Sequence, residues 1–335
     1  MRAFIQTAIG SYEEREVPDP IPQVGEVVVR VRAALTCGTD LKLLDRGHPR
    51  IALPVTMGHE ACGEIAAVGR GVDRFAVGDR VVPGITGPCG VCRECIRGFQ
   101  NLCAVAHGDR TWGAFADLLR VPAAVVGGNL HRVPEGLPDE IAAFVDPLAS
   151  VLHGWTRIGS RPATLLVYGA GALGLLWAAT ARSRGVKAVV AARAGKARLL
   201  AVRKMGAEAI DVGAGAGSGP FPLEPVDAAV DCTGDPGIWR RLADLVLPGG
   251  TVLLFGGCAP GATAEWDAAR LHYSEISLVG SFHYTPDEAR AALAMLASKE
   301  IDPTPLLSGR VPLTDLPRAL DAQRRREGIR YAVFP

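Results

Sequence analysis

Residues Thr164–Tyr168 (TLLVY) run into Gly169-Ala170-Gly171-Ala172-Leu173-Gly174, a buried-strand pattern ending in G-x-G-x-x-G. The signature alone says little in a chain with 40 glycines, so its surroundings decide the fold. A helix is expected from about Gly171 to Ser183, a second strand over Lys187–Ala192 and a second helix from about Lys196 to Met205. In that setting Gly169 permits a tight turn, Gly171 lets backbone approach a pyrophosphate, and Gly174 allows close helix packing. The N–H groups of Ala172 and Leu173 then stand at the positive end of a helix dipole, where phosphates bind.

Working outward, Asp227–Cys232, Gly250–Phe255 and Ile276–Gly280 read as further apolar strands, and Gly213–Pro225 (GAGAGSGPFPLEP) as a surface loop. Apolar strands alternating with helices imply a doubly wound parallel sheet of the α/β class. Ligands bind such sheets at the carboxyl ends of the strands, which places Thr233, Gly256 and Ser281 on the nicotinamide side of a dinucleotide. Residues 1–150 have a different texture, with short strands over Glu26–Arg32, Gly63–Gly69 and Gly78–Val82 broken by Gly/Pro turns. After Pro286 come a helix, Asp287–Ser298, and a last strand, Tyr331–Phe334. The expected organisation is a β-rich domain, 1–150 plus 285–335, around a dinucleotide-binding domain at 151–284, consistent with 335 residues exceeding one ordinary core.

Composition narrows the function class. A formal charge of +1 and no basic helical face exclude a nucleic-acid partner, and Arg324–Arg326 reads as a solvated helix end. Pro162–Ala181 and Leu245–Ala264 are uncharged, but their glycines suit strand–turn–helix segments, so no membrane span is expected. The N-terminal residues lack the apolar stretch of an export signal, which points to the cytoplasm and reduced cysteines. Of eight cysteines, Cys89, Cys92, Cys95 and Cys103 fall within fifteen residues, among Gly87, Pro88, Gly90 and Gly98. Four thiolates on one bending loop suit a closed, structural zinc site.

Gly58-His59-Glu60 with Gly63, Gly78-Asp79-Arg80-Val81, the four-cysteine lobe and the glycine fingerprint occur in one order along the chain. In this the sequence resembles the zinc-containing medium-chain dehydrogenase/reductase family, which includes alcohol, polyol and threonine dehydrogenases. The resemblance implies a GroES-like catalytic domain beside a Rossmann domain, with the active site in the cleft between them. It implies Cys37, His59 and Asp146 as ligands of a second, catalytic zinc, hence two zinc ions per chain. Glu60 matches a residue that supports the metal site and can swing onto the ion. One thiolate, one imidazole and one carboxylate leave a position open for Lewis-acid chemistry on an alcohol or ketone.

Thr39 occupies the place of the hydroxyl residue that takes the alcohol proton. Many members carry a histidine five residues after the first ligand cysteine, where this chain has Lys42. Lys42, His48 or the cofactor ribose then passes the proton outward. Ser150, four residues past Asp146, matches a position that often contacts the nicotinamide. The resemblance further implies a homodimer or homotetramer acting on a secondary alcohol. Arg46–His48 and Ser281–Tyr284 offer polar contacts to a polyol, cyclitol or amino alcohol. The rival readings are a zinc-stabilised NADPH-binding protein without catalysis, which needs no open metal site, and a zinc-free quinone or enone reductase, whose members lack these motifs.

Cofactor choice rests on one strand end. NAD-specific sheets place an acidic residue about twenty residues past the glycines, on the ribose 2′-hydroxyl. Here that place holds Arg193, with Lys196 close behind and no Asp or Glu before Glu208. A planar guanidinium suits a 2′-phosphate, so NADP(H) is expected over NAD(H).

Overall fold

The computed structural model describes residues 1–48, 51–159, 162–193, 195–213 and 223–335, and of Lys196 the backbone only. The chain forms two compact units: Met1–Ala149 with Tyr284–Lys299 and Leu307–Pro335, and Ser150–His283 with Glu300–Leu306.

The second unit is built on six parallel strands in the order Glu208–Asp211, Lys187–Ala192, Thr164–Tyr168, Val226–Asp231, Val246–Leu254 and Ser277–Gly280. The chain reverses its direction of travel across the sheet at Thr164–Tyr168, and the glycine turn leaves from that strand's carboxyl end. Leu165, Leu166 and Val167 are fully buried, so both faces of this strand are covered. Helix Ala172–Ser183 follows directly, with Leu175, Leu176 and Trp177 inaccessible to solvent. Its close seating depends on Gly174, where a Cβ would lie 1.8 Å from the Gly169 carbonyl oxygen. Gly169 itself has φ +115°, open to glycine and strained for other residues. The fifth strand begins at Val246 rather than Gly250. Of the loop expected over Gly213–Pro225, residues 214–222 lie outside the described residues.

The first unit carries a seven-stranded sheet. Its main path runs Leu307–Pro312, Arg330–Phe334, Val27–Leu35, Ala61–Val68, Arg80–Pro83 and Leu130–Arg132, with Leu118–Val121 also paired to Val27–Leu35. A three-stranded sheet, Ser11–Glu16, Arg2–Ala8 and Val55–Thr56, accompanies it. Val27, Val29 and Val31 alternate into a core with Ile65, Val81, Phe115 and Leu119.

Besides the strands of the β-rich reading, residues 1–150 contain helices it did not place, Gly38–Arg46 and Asp139–Ala142 and the start of Val145–Ile158. The first was hidden because its N-cap is Cys37, a residue type outside the usual Ser, Thr, Asp and Asn. The third has buried Val145, Leu148, Val151, Leu152 and Trp155 at helical spacing, and Pro147 is tolerated in its first turn. Among the described residues no helix is long and apolar enough to cross a membrane.

Candidate active site and metal centres

Cys37 ends the strand Val27–Leu35 by capping the helix after it. Its Sγ accepts from the Thr39 amide at 3.5 Å, while the Asp40 carboxylate accepts from the Cys37 amide at 2.8 Å. This reciprocal cap fixes the thiol at the mouth of the helix. His59 follows Gly58 on the turn entering strand Ala61–Val68, which pairs with Val27–Leu35, so register brings the two residues together. Cys37, His59 and Glu60 are all buried, and one ligand atom from each lies within 4.8 Å of the others. His59 Nδ1 faces Asp40 Oδ1 at 3.3 Å, and its ring stacks on Trp112 with centroids 4.7 Å apart and planes 10° from parallel.

Asp146, expected as the third ligand, does not belong to that compact group; Glu60 does. The Asp146 carboxylate sits in the first turn of helix Val145–Ile158 and accepts from the Tyr284 hydroxyl at 2.6 Å. Glu60 in turn is ion-paired to Arg330, a guanidinium only 2% exposed that also donates to the Thr36 carbonyl at 3.2 Å and to Cys37 Sγ at 3.8 Å.

Electrostatics mark the cluster as unusual. Burial would raise the Cys37 thiol, but Arg330 and the His59 hydrogen bond outweigh it and bring it down to about 6. Burial opposes a charge on His59, yet Asp40 and Cys37 push its pKa well up. Burial, then the Glu60 carboxylate, raises Asp146 to about 6. A thiolate, an imidazole and carboxylates gathered in one buried place are a zinc donor set, with Asp40 placed to fix the imidazole orientation.

The four-cysteine lobe forms its own small core. Cys89, Cys92, Cys95 and Cys103 gather around helix Arg93–Ile96, and all eight cysteines of the chain are free thiols. Cys89 and Cys103 sulfurs are 3.6 Å apart. That is far beyond a disulfide and close to the ~3.8 Å expected between ligands of a tetrahedral ion with ~2.3 Å metal–sulfur bonds. The Cys92 amide also points at Cys89 Sγ, 3.3 Å away, an arrangement that stabilises a thiolate.

In the second unit Gly171 is the N-cap of helix Ala172–Ser183, and no side chain caps it. A Cβ built on Gly171 would meet nothing within 4 Å. The first-turn amides of Ala172 and Leu173 thus face an open cradle, which fits a pyrophosphate. Asp231, fully buried, organises the neighbouring loop by accepting from the Thr233 amide at 3.0 Å, its hydroxyl at 2.6 Å and the Gly234 amide at 2.6 Å. The Thr233 hydroxyl is therefore engaged locally. Gly256 is packed so closely that a Cβ would sit 2.4 Å from the Gly234 nitrogen. Ser281 Oγ is buried with no hydrogen-bond partner among the described residues.

Arg193 is exposed just past the second strand. Burial raises the Tyr168 phenol above its ordinary value, and the charges of Arg193 and Arg241 partly oppose this. Sequence reasoning passed over Arg198, whose Nη1 reaches the Ala170 carbonyl in the glycine turn at 3.4 Å. It also passed over Arg330, Tyr284, Asp40 and Trp112. Only Asp40 left a local signal, at the third helical position after a capping residue. Thr39 and Lys42 are exposed on helix Gly38–Arg46, and His48 is exposed two residues beyond that helix, bridged to Ile51. Ser150 lies one turn after Asp146 on the same helix.

Comparisons with known proteins agree with this fold. Residues 23–135 match the Alcohol dehydrogenase GroES-like domain and residues 172–298 match Zinc-binding dehydrogenase. D-altritol 5-dehydrogenase of Agrobacterium fabrum is 34% identical over 93% of this chain and 92% of its own. L-threonine 3-dehydrogenase of Aeromonas hydrophila is 30% identical over 91% of each. Among solved structures, a zinc-binding dehydrogenase from Sinorhizobium meliloti bound to NADP superposes with TM-score 0.88 at 28% identity, covering 100% of this chain and 99% of that one. Fold and donor sets together define a dehydrogenase of the alcohol dehydrogenase type. The chain belongs to the zinc-containing medium-chain dehydrogenase/reductase family.

Proposed function

We propose that the protein transfers a hydride between NADP(H) and a secondary alcohol or its ketone, with a polyol, cyclitol or amino alcohol as substrate. The observation that carries this reading is the buried Cys37–His59–Glu60 group, a thiol, an imidazole and a carboxylate within ligand reach of one another, with Asp146 in electrostatic reach. Cys37, His59 and Asp146 would hold the catalytic zinc, with Glu60 as an alternative ligand, and Cys89, Cys92, Cys95 and Cys103 would hold a second ion. Zinc at the first site supplies the Lewis acidity that lowers the pKa of an alcohol or polarises a ketone.

The remaining work falls to the chain. Asp40 orients His59, and Arg330 holds the Glu60 carboxylate until it is needed. Thr39 takes the alcohol proton through its hydroxyl, and Lys42 or His48 carries it to water. Gly169, Gly171, Ala172, Leu173 and Gly174 cradle the pyrophosphate. Thr233, through its backbone, Gly256, Ser281 and Ser150 line the nicotinamide. Arg193 and Lys196, joined by Arg198, attract the 2′-phosphate. The enzyme works in the cytoplasm as a homodimer or homotetramer.

The test is a screen of polyols, cyclitols, amino alcohols and simple secondary alcohols with NADP and NAD, read as nicotinamide absorbance. Turnover that needs zinc and prefers NADP is the expected outcome. Full activity after complete zinc removal overturns the proposal.

A further inference from the structure

Trp112 lies beside the candidate zinc site and plays no part in the chemistry described so far. Its loop is pinned to the turn that carries His59. The Gly113 and Ala114 amides both donate to the Gly58 carbonyl, at 2.8 and 3.0 Å, and the Phe115 amide donates to the Met57 carbonyl at 2.9 Å. Gly113, at φ +109°, is packed so that a Cβ would meet the Thr56 side chain at 3.1 Å. With that backbone fixed, the indole lies flat on the His59 ring, 4.7 Å between centroids. It therefore forms a rigid wall beside a proposed metal ligand.

The indole N–H is the feature that packing leaves unexplained. Nε1 is buried and has no hydrogen-bond partner among the described residues. Stacking on His59 uses only the ring face and would be served as well by phenylalanine. A buried tryptophan ordinarily finds an acceptor for this group, because leaving it unmade costs more than the bond is worth in water. Indole nitrogen is a donor only, so whatever completes it must present a lone pair. A hydroxyl or carboxylate oxygen qualifies, and an ammonium does not.

We infer that Trp112 is a specificity-determining residue whose indole N–H donates to an acceptor oxygen of the substrate, on the carbon beside the reacting carbinol. The inference rests on the dehydrogenase reading above and deepens it. The favoured substrate carries a second oxygen function next to the carbinol, as a vicinal diol does. A 1,2-amino alcohol protonated at nitrogen gains nothing from the indole. A site built around a hydrogen bond rejects analogues lacking the partner, because its own buried group is then left unpaired.

The experiment compares wild type, Trp112→Phe and Trp112→Leu on 2,3-butanediol, 3-amino-2-butanol and 2-butanol. In Trp112→Phe, which keeps the stacked ring, the ratio of kcat/KM for the diol to that for 2-butanol should fall about tenfold, the factor of one lost hydrogen bond to a buried donor. The change should sit mainly in KM, and the amino alcohol to 2-butanol ratio should not follow it. Trp112→Leu should show the same loss of discrimination together with an altered His59 environment, read from the visible spectrum of the cobalt-substituted enzyme. An unchanged diol ratio in Trp112→Phe overturns the inference, as does a wild type that prefers 2-butanol. If wild type oxidises none of the three, the dehydrogenase reading fails instead. Calorimetric binding of the diol to the zinc-loaded proteins then decides the indole's role, and equal affinity in wild type and Trp112→Phe overturns it.

Discussion

The Tyr284 hydroxyl donates to Asp146 Oδ1 at 2.6 Å while accepting from the Ile85 amide at 3.2 Å. The tyrosine is 1% exposed, so neither bond is shared with bulk water. A residue 138 positions further along the chain thus sets the direction of a proposed zinc ligand. Tyr284→Phe removes the donor and keeps the ring. The expected result is a ~10–100-fold loss in catalytic-zinc affinity or in kcat, the usual cost of deleting a hydrogen bond behind a metal ligand. Chelator competition on the purified enzyme measures it, with the four-cysteine zinc as internal reference. Unchanged zinc retention and unchanged kcat would show that Asp146 needs no such guide.

The two metal centres should fail differently. Elemental analysis should approach two zinc ions per chain. Cys37→Ser should bring this to about one and abolish turnover, with the melting transition retained. Cys92→Ser should instead destabilise the lobe, since structural zinc in small peptides binds with on the order of 10 kcal/mol at neutral pH. Equal loss of stability in the two variants would contradict the division into catalytic and structural sites.

Cofactor preference should follow the charge past the second strand. One charge-assisted hydrogen bond contributes ~1.5–3 kcal/mol, or about ten- to hundredfold in affinity. NADP should therefore exceed NAD by at least about tenfold in kcat/KM, and Arg193→Asp should erase or reverse that ratio. A wild type that uses NAD equally well would place the Arg193 guanidinium in solvent.

His131 links the stability of the first unit to pH. Burial, then the positive charges of Arg290 and Arg74, depress its pKa to about 4, and its Nε2 pairs with Asn129 Oδ1 at 2.9 Å. A depressed pKa favours the neutral ring, so its contribution is fully present above the unfolded value of ~6.5 and is lost as pH falls toward 4. Allowing for partial solvent screening, roughly 1–2 kcal/mol should disappear across that window. His131→Gln should flatten the wild-type slope of denaturation midpoint against pH between 6.5 and 4. Parallel slopes for the two proteins would show that another group controls the acid limb.

Much of the fold could be read from local pattern. Thr164–Tyr168, Lys187–Ala192 and the helix after Gly171 emerge where expected because a strand buried on both faces and a glycine turn are written in consecutive residues. The cysteine lobe is equally local, since its ligands share one short loop. Helix Gly38–Arg46 was illegible because a cysteine does the work of a capping hydroxyl.

The chemical types present, a thiol at 37, an imidazole at 59, carboxylates at 60 and 146 and a glycine cradle at 169–174, were determined by the sequence itself. Their assembly was decided only in three dimensions. Antiparallel register sets His59 beside Cys37, and the last strand then inserts Arg330 between Glu60 and Cys37. Tyr284 bonds Asp146, and Glu60 rather than Asp146 belongs to the compact donor group. Such choices are invisible along the chain for a physical reason. Which carboxylate faces a thiolate depends on the long-range partners that compete for it, and burial makes each unpaired charge costly enough to settle that competition.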